Sequence, residues 1–133
     1  MKIIYKINDN TSFTQLDNLT ENVGWGRRGE KAWKKILYSS SFVVSAWSDE
    51  KLVGLGRIVE DGIMCMVYDI AVHGDFQKLR IGTNIMDRIT EEIKNNSFQS
   101  VGLFAWKENP MNIDFYSKFG FQQVDFGMKF KSS

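Results

Sequence analysis

A mixed α/β fold, one sheet with helices on both faces, is predicted by three features of the sequence. Short β-type apolar runs alternate with stretches of helical periodicity. The run IMCMVYDIAVH, residues 63–73, is apolar almost throughout, as a strand covered on both faces should be. Shortly after it QKLRIGT, residues 77–83, sets a glycine at the start of an amphipathic helix. The elements follow in the order βααβββαβαβ, giving six strands, or seven if the C-terminal run is a pair, with about four helices.

Each element has its own signal. KIIYKI, residues 2–7, reads as a first strand, and TSFTQLDNLTENV as a short helix with Thr11 or Ser12 as N-cap. GWGRRGEKAWKKILYSS offers flexible glycines and then a helix in which Trp33, Ile36 and Leu37 share a face. SFVVSAWS and KLVGLGRIVED form a hairpin across the turn residues Asp49 and Glu50. IMCMVYDIAVH is the fourth strand. From Arg80 a long helix carries Ile81, Ile85, Met86, Ile89 and Ile93 at helical spacing. SVGLFAW is another buried strand, PMNIDFYSKF a helix, and FQQVDFGMKF a final strand pair or hairpin.

Composition narrows the function. The chain's 133 residues, 43% hydrophobic and 25% charged, suit one domain spanning 1–133. A formal charge of +1, from 17 basic and 16 acidic residues, supplies no overall field for a nucleic acid, so any anion site is local. The lone Cys65 cannot form an internal disulfide, and MKIIYKINDN lacks the apolar core of a signal peptide, which makes a reducing cytoplasm the default. No apolar run approaches the roughly 18 residues of a membrane-spanning helix.

Gly82 can now be placed. It follows a buried strand and opens a helix whose first backbone N–H groups have no intrahelical partner and invite an anion. Without a Cβ, this position lets a phosphate come close, and Lys78 and Arg80 can add charge-assisted contacts. Neither GxxxxGK[ST] nor GxGxxG is present. The alternative is a glycine easing a tight turn beside two solvated basic residues.

The wider segment VYDIAVHGDFQKLRIGTNIM resembles the acetyl-CoA-binding signature of the GCN5-related N-acetyltransferase (GNAT) superfamily, Gln/Arg-x-x-Gly-x-Gly/Ala. Gln77, Gly82 and the preceding I-A-V match, with Arg80 replacing the first glycine. ENPMNIDFYSKFGF resembles the superfamily's later signature through Asn109, Tyr116, Gly120 and Phe121, with Asn112 where alanine is usual. Together the two signatures cover residues 66–121.

The resemblance implies the GNAT acyl-CoA N-acyltransferase fold, with acetyl-CoA as co-substrate in a V between the fourth and fifth strands and no metal. The main chain of Ile70, Ala71 and Val72 would hold the pantetheine arm. The N–H groups of Lys78, Leu79, Arg80, Ile81, Gly82 and Thr83 would hold the diphosphate, with Gln77 and Asn109 completing the cofactor site. The chemistry is then direct acetyl transfer to a primary amine of a small molecule, with Tyr116 as general acid and the N–H of Ala71 or Val72 polarising the carbonyl. Expected partners are acetyl-CoA and an amine acceptor, without nucleic acid or membrane, and a homodimer stays open. A protein amine as acceptor and a non-catalytic acetyl-CoA-binding module are the alternatives.

Other residues carry two readings each. Asp69 is the one carboxylate within the apolar fourth strand, where burial would raise its pKa toward that of a base; the other reading is a structural hydrogen-bond acceptor. His73 titrates near neutrality or is an ordinary loop histidine. Cys65 reads as a small buried apolar residue. VGWGRRGEKAW places Trp25, Arg27, Arg28 and Trp33 around three glycines, as a wall over the acceptor or as core tryptophans and solvated arginines. The arginines favour an acceptor bearing a carboxylate or phosphate, whereas Asp17, Glu21 and Asp69 favour a cationic amine.

Overall fold

The computed structural model describes residues 2–105, 111–124 and 127–131. A sheet of order β1-β2-β3-β4-β5 forms from β1 (Ile3–Ile7), β2 (Phe42–Ser48), β3 (Lys51–Glu60), β4 (Met64–Val72) and β5 (Ser100–Leu103). The first four strands pair antiparallel, and β5 runs parallel to β4. Helices α1 (Phe13–Asn22) and α2 (Glu30–Ser39) precede β2, α3 (Ile81–Lys94) links β4 to β5, and α4 (Met111–Ser117) follows. Leu16, Leu19 and Trp33 from α1 and α2 pack on one face of the sheet. Ile81, Ile85, Met86 and Ile89 of α3 pack on the other, with Phe115 and Tyr116 of α4.

Local chemistry explains most of these elements. Ser12 caps α1, its hydroxyl accepting from the Gln15 N–H at 3.1 Å. The four buried side chains of α3 recur at helical spacing, and each contributes about 1.5–3 kcal/mol by leaving water. Two glycines in β3 make that packing close. A Cβ on Gly54 would lie 2.9 Å from Ile81 and Ile85, and one on Gly56 would lie 2.7 Å from Ile85 and 2.8 Å from Ile70. The glycines thus let α3 sit directly on the backbone of β3, at the cost of strand propensity.

The strand count differs from the expected six or seven. Five strands are present among the described residues, because the run expected as a final strand pair makes no ladder at residues 121–124 and 127–131. Met128 and Phe130 are 94% and 91% exposed. Its residues 125 and 126 lie outside the described residues. β5 is also shorter than SVGLFAW, stopping at Leu103. No helix among the described residues is long and apolar enough to cross a membrane.

Candidate active site

Strand β4 carries two irregularities that together open its edge. Arg57 of β3 pairs with Tyr68, and Leu55 pairs with Ala71, so Asp69 and Ile70 together face the single residue Gly56. This is a β-bulge, and Asp69 takes φ +57° within it. The extra residue changes which side chains face which layer. Before it Cys65 and Val67 join the α3 core, after it Ile70 and Val72 do, and Ala71 turns to α1 and α2. The second irregularity is on the other side, where β5 pairs with β4 only from Met64 to Val67.

Beyond Val67 the β5 side of β4 is therefore without a partner strand among the described residues. The N–H of His73, just past β4, donates to the Val53 carbonyl on β3 at 2.8 Å. Successive residues in a strand alternate direction, so Val72 turns its N–H and C=O toward the side β5 has left. Its carbonyl accepts there from Gln77 Nε2 at 3.4 Å.

The chain then passes through a short 3-10 turn, Gly74–Phe76, and reaches α3 with both Lys78 and Arg80 left-handed, at φ +65° and +62°. Arg80 is the N-cap and makes no side-chain cap bond. The first intrahelical bond is Asn84 N–H to the Arg80 carbonyl at 2.9 Å, so the N–H groups of Ile81, Gly82 and Thr83 lie before the ladder. Alternating left-handed residues followed by an uncapped helix start form a concave array of N–H donors. Gln77, Lys78, Leu79 and Arg80 are exposed around it, whereas the Ile81 side chain is buried.

Gly82 has a role its position in the sequence did not suggest. A Cβ there would lie 3.3 Å from the Phe115 ring and 3.7 Å from Val72, so the missing side chain makes room for α4. Phe115 in turn meets Tyr116 and Phe119 edge to face, at centroid distances of 5.2 Å each. Tyr116 is half-buried with its phenol pKa pushed up by that burial. No hydrogen bond reaches its hydroxyl among the described residues. Asn109 lies outside the described residues.

Asp69 is not the poised base that burial alone would make. Burial pushes its pKa up, but hydrogen bonds from Arg28 and Arg57, and their charges, outweigh it and hold the carboxyl below its usual 3.8. Arg28 Nη1 and Nη2 reach Asp69 Oδ2 and Oδ1 at 2.8 and 2.9 Å, and Arg57 Nε reaches Oδ2 at 2.7 Å. Arg57 also donates to Ser40 Oγ at 3.2 Å.

The wall expected around the glycines separates into different parts. Trp33 is fully buried in the core and donates Nε1–H to Asp17 Oδ1 at 2.8 Å, so it cannot line a cleft. Asp17, itself buried, also accepts from the N–H groups of Arg28 at 2.7 Å and Gly29 at 3.2 Å, fixing the α1–α2 loop. Desolvation opposes its ionisation, but those bonds and the Arg27 charge win and its pKa is lowered. Arg27 stays at the surface with Asn18 and Glu21, at 3.0 and 3.3 Å. Trp25 is 46% exposed, with the Arg28 guanidinium 5.8 Å from its ring.

Two further residues are settled by their partners. His73 is buried, its Nδ1 accepts from the Asp75 N–H at 3.1 Å, and desolvation with the Lys51 charge lowers its pKa. Cys65 is fully buried with its thiol pKa raised by desolvation. No group of His, Cys, Asp and Glu able to hold a metal occurs among the described residues. Sequence reasoning missed Arg57 and the part played by Asp17. A charge among the inward-facing residues of LVGLGRIV, and a carboxylate on the buried face of α1 beside Leu16 and Leu19, were the available signals.

Comparison with known proteins identifies the family and the fold. The profile of the "Acetyltransferase (GNAT) family" matches residues 10–121. The uncharacterized N-acetyltransferase ycf52 of Porphyra purpurea is 32% identical over 135 residues, spanning 97% of this chain and 76% of that protein. A GNAT-family acetyltransferase from Streptococcus pneumoniae superposes with a TM-score of 0.82 at 26% identity, over 98% of each chain. The enzyme AAC(6')-Iy, solved with the bisubstrate analogue CoA-S-monomethyl-acetylneamine, shares the fold at a TM-score of 0.77 and 12% identity, over 100% of this chain and 99% of its own.

Proposed function

We propose that this chain, which belongs to the GNAT family of acetyltransferases, moves an acetyl group from acetyl-CoA directly to the primary amine of a small molecule. One observation carries the reading. Among the described residues no strand pairs with the β5 side of β4 from Tyr68 to Val72, where the Val72 carbonyl meets Gln77 Nε2, and the same strand leads within ten residues to the uncapped start of α3. An extended ligand with two amides at one end and a diphosphate at the other matches that sequence of groups. The exposed main chain of Ile70 and Val72 suits the pantetheine amides. The N–H groups from Lys78 to Thr83, with the Lys78 and Arg80 side chains beside them, suit the diphosphate.

The residues divide the work accordingly. Val72 N–H is the donor best directed at the carbonyl that gains negative charge, in preference to Ala71, whose main chain pairs with Leu55. Tyr116, a phenol already neutral at physiological pH and held more firmly so by its burial, supplies the proton that the departing thiolate takes up. Asp69 does not take the amine's proton, because both its oxygens are engaged and it is a weaker base than an ordinary carboxylate. Its part is to hold the bulge, and the amine loses its proton to solvent.

A thiol-release assay over a panel of primary amines tests this reading. Amine-dependent release of CoA, with acetylated product of matching amount, is the expected result. Tight acetyl-CoA binding without turnover of any amine would make the chain a binding module instead.

A further inference from the structure

On the α1 and α2 face of the sheet, beside the bulge, stand three carboxylates and three arginines, and their hydrogen bonds decide what the surface offers a ligand. Asp17 is buried with its oxygens taken by two backbone N–H groups and the Trp33 indole. Asp69 has both oxygens bound by Arg28 and Arg57. Glu21 pairs with Arg27 at the surface. Asp17 and Asp69 are thus fully engaged, and the one carboxylate of the group with an unengaged oxygen, Glu21, stands at the surface beside Arg27.

Formal charge is balanced, so the discrimination lies in hydrogen-bond donors. The Arg28 side chain is 25% exposed and the Arg57 side chain 12%, and each guanidinium has five N–H bonds. Arg28 uses one from each Nη on Asp69, which leaves Nε–H and a second hydrogen on each Nη. Arg57 uses Nε–H and one Nη1 hydrogen, which leaves the second Nη1 hydrogen and both on Nη2. Aromatic rings hold both groups in place: Arg28 lies 4.8 Å from the Trp33 ring, and Arg57 lies 4.9 Å from the Tyr68 ring. The pair is thus a rigid, donor-rich platform beside Asp69 and Ile70.

We infer that the amine acceptor carries a carboxylate or phosphate, and that Arg28 and Arg57 hold this oxyanion beside the bulge in β4. The inference rests on the transfer function proposed above and names the acceptor class for that same site. Rigid guanidiniums recognise planar or tetrahedral oxyanions through paired N–H bonds.

Matched pairs of small amines provide the test. Phosphoethanolamine, β-alanine and ethanolamine are titrated calorimetrically into the protein, with and without saturating CoA. At least one of the two anionic amines is expected to bind at least tenfold tighter than ethanolamine. Arg28→Ala should abolish that preference, and Arg28→Lys should retain only part of it, while CoA affinity stays at the wild-type value. In turnover the KM for the anionic acceptor should rise in both variants, with the KM for acetyl-CoA unchanged. Equal binding of ethanolamine and the anionic amines, no binding of either anionic amine, or a preference that survives Arg28→Ala would overturn the inference. A failure of CoA itself to bind would instead count against the transfer function, and the titrations without CoA still decide the anion question.

Discussion

Arg80 occupies a backbone conformation that glycine adopts freely and arginine does not. Its φ of +62° and ψ of +21° place it in the left-handed region, with no side-chain cap bond as compensation. A residue with a Cβ pays about 1–2 kcal/mol there. Glycine removes that strain but gives back about 0.5–1 kcal/mol through its freer unfolded chain. Arg80→Gly should therefore stabilise the fold by about 0.5–1 kcal/mol, a Tm rise of about 2–5 °C for a domain of this size. Arg80→Ala keeps the Cβ and should show no such rise. Both variants lose the guanidinium, so both should bind CoA about 1–3 kcal/mol more weakly if that group contacts a phosphate. Thermal unfolding followed by circular dichroism, together with calorimetric titration of CoA and dephospho-CoA across a salt series, separates the two effects. Equal melting of the glycine and alanine variants would refute the strain. Unchanged CoA affinity and salt dependence in Arg80→Ala would refute the phosphate contact, and an effect confined to CoA would assign the contact to the 3′-phosphate.

Three other outcomes are expected. Tyr116→Phe should keep acetyl-CoA affinity and lower kcat by roughly 100-fold or more, since the ring still packs and only the phenolic proton is lost; steady-state kinetics over a range of pH checks it. Gly56→Ala should destabilise the fold by about 1–3 kcal/mol in urea unfolding, because a Cβ there would lie 2.7–2.9 Å from Ile85, Ile70 and Ile89. Asp17 and Asp69 have folded pKa values below the usual 3.8, so the stability they contribute is full above about pH 5 and is lost as the pH falls through those lowered values. Unfolding midpoints compared between pH 6 and pH 3 should show the loss, and Asp69→Asn should reduce it.

Much of the architecture was legible because it follows from periodicity. The spacing of Ile81, Ile85, Met86 and Ile89 marked α3, Ser12 marked the start of α1, and the uniformly apolar IMCMVYDIAVH marked a strand with both faces covered. That same uniformity hid the bulge. With nearly every side chain apolar, no break in alternation reveals that Asp69 and Ile70 share one partner. The two arginines on Asp69 were hidden by distance, since Arg57 is 12 residues away and Arg28 is 41. Asp69 therefore read as an isolated carboxylate when it is the centre of an ion cluster. Trp33 kept two readings because glycines nearby suggested a mobile wall; the core reading holds, since its helical neighbours Ile36 and Leu37 pack with it against the sheet. The alternation Val124, Met128, Phe130 in the C-terminal run is a strand pattern that needs a neighbouring strand, and none pairs with its described residues.

Amide hydrogen exchange with and without saturating acetyl-CoA tests the cofactor site most directly. Protection by the ligand should concentrate on the N–H groups of Ile70 and Val72 and on those from Lys78 to Thr83, where N–H groups face the opened edge and the start of α3. Protection confined to other elements, such as the outer face of α2, or no protection at these amides in a protein that binds acetyl-CoA, would contradict the assignment of this site.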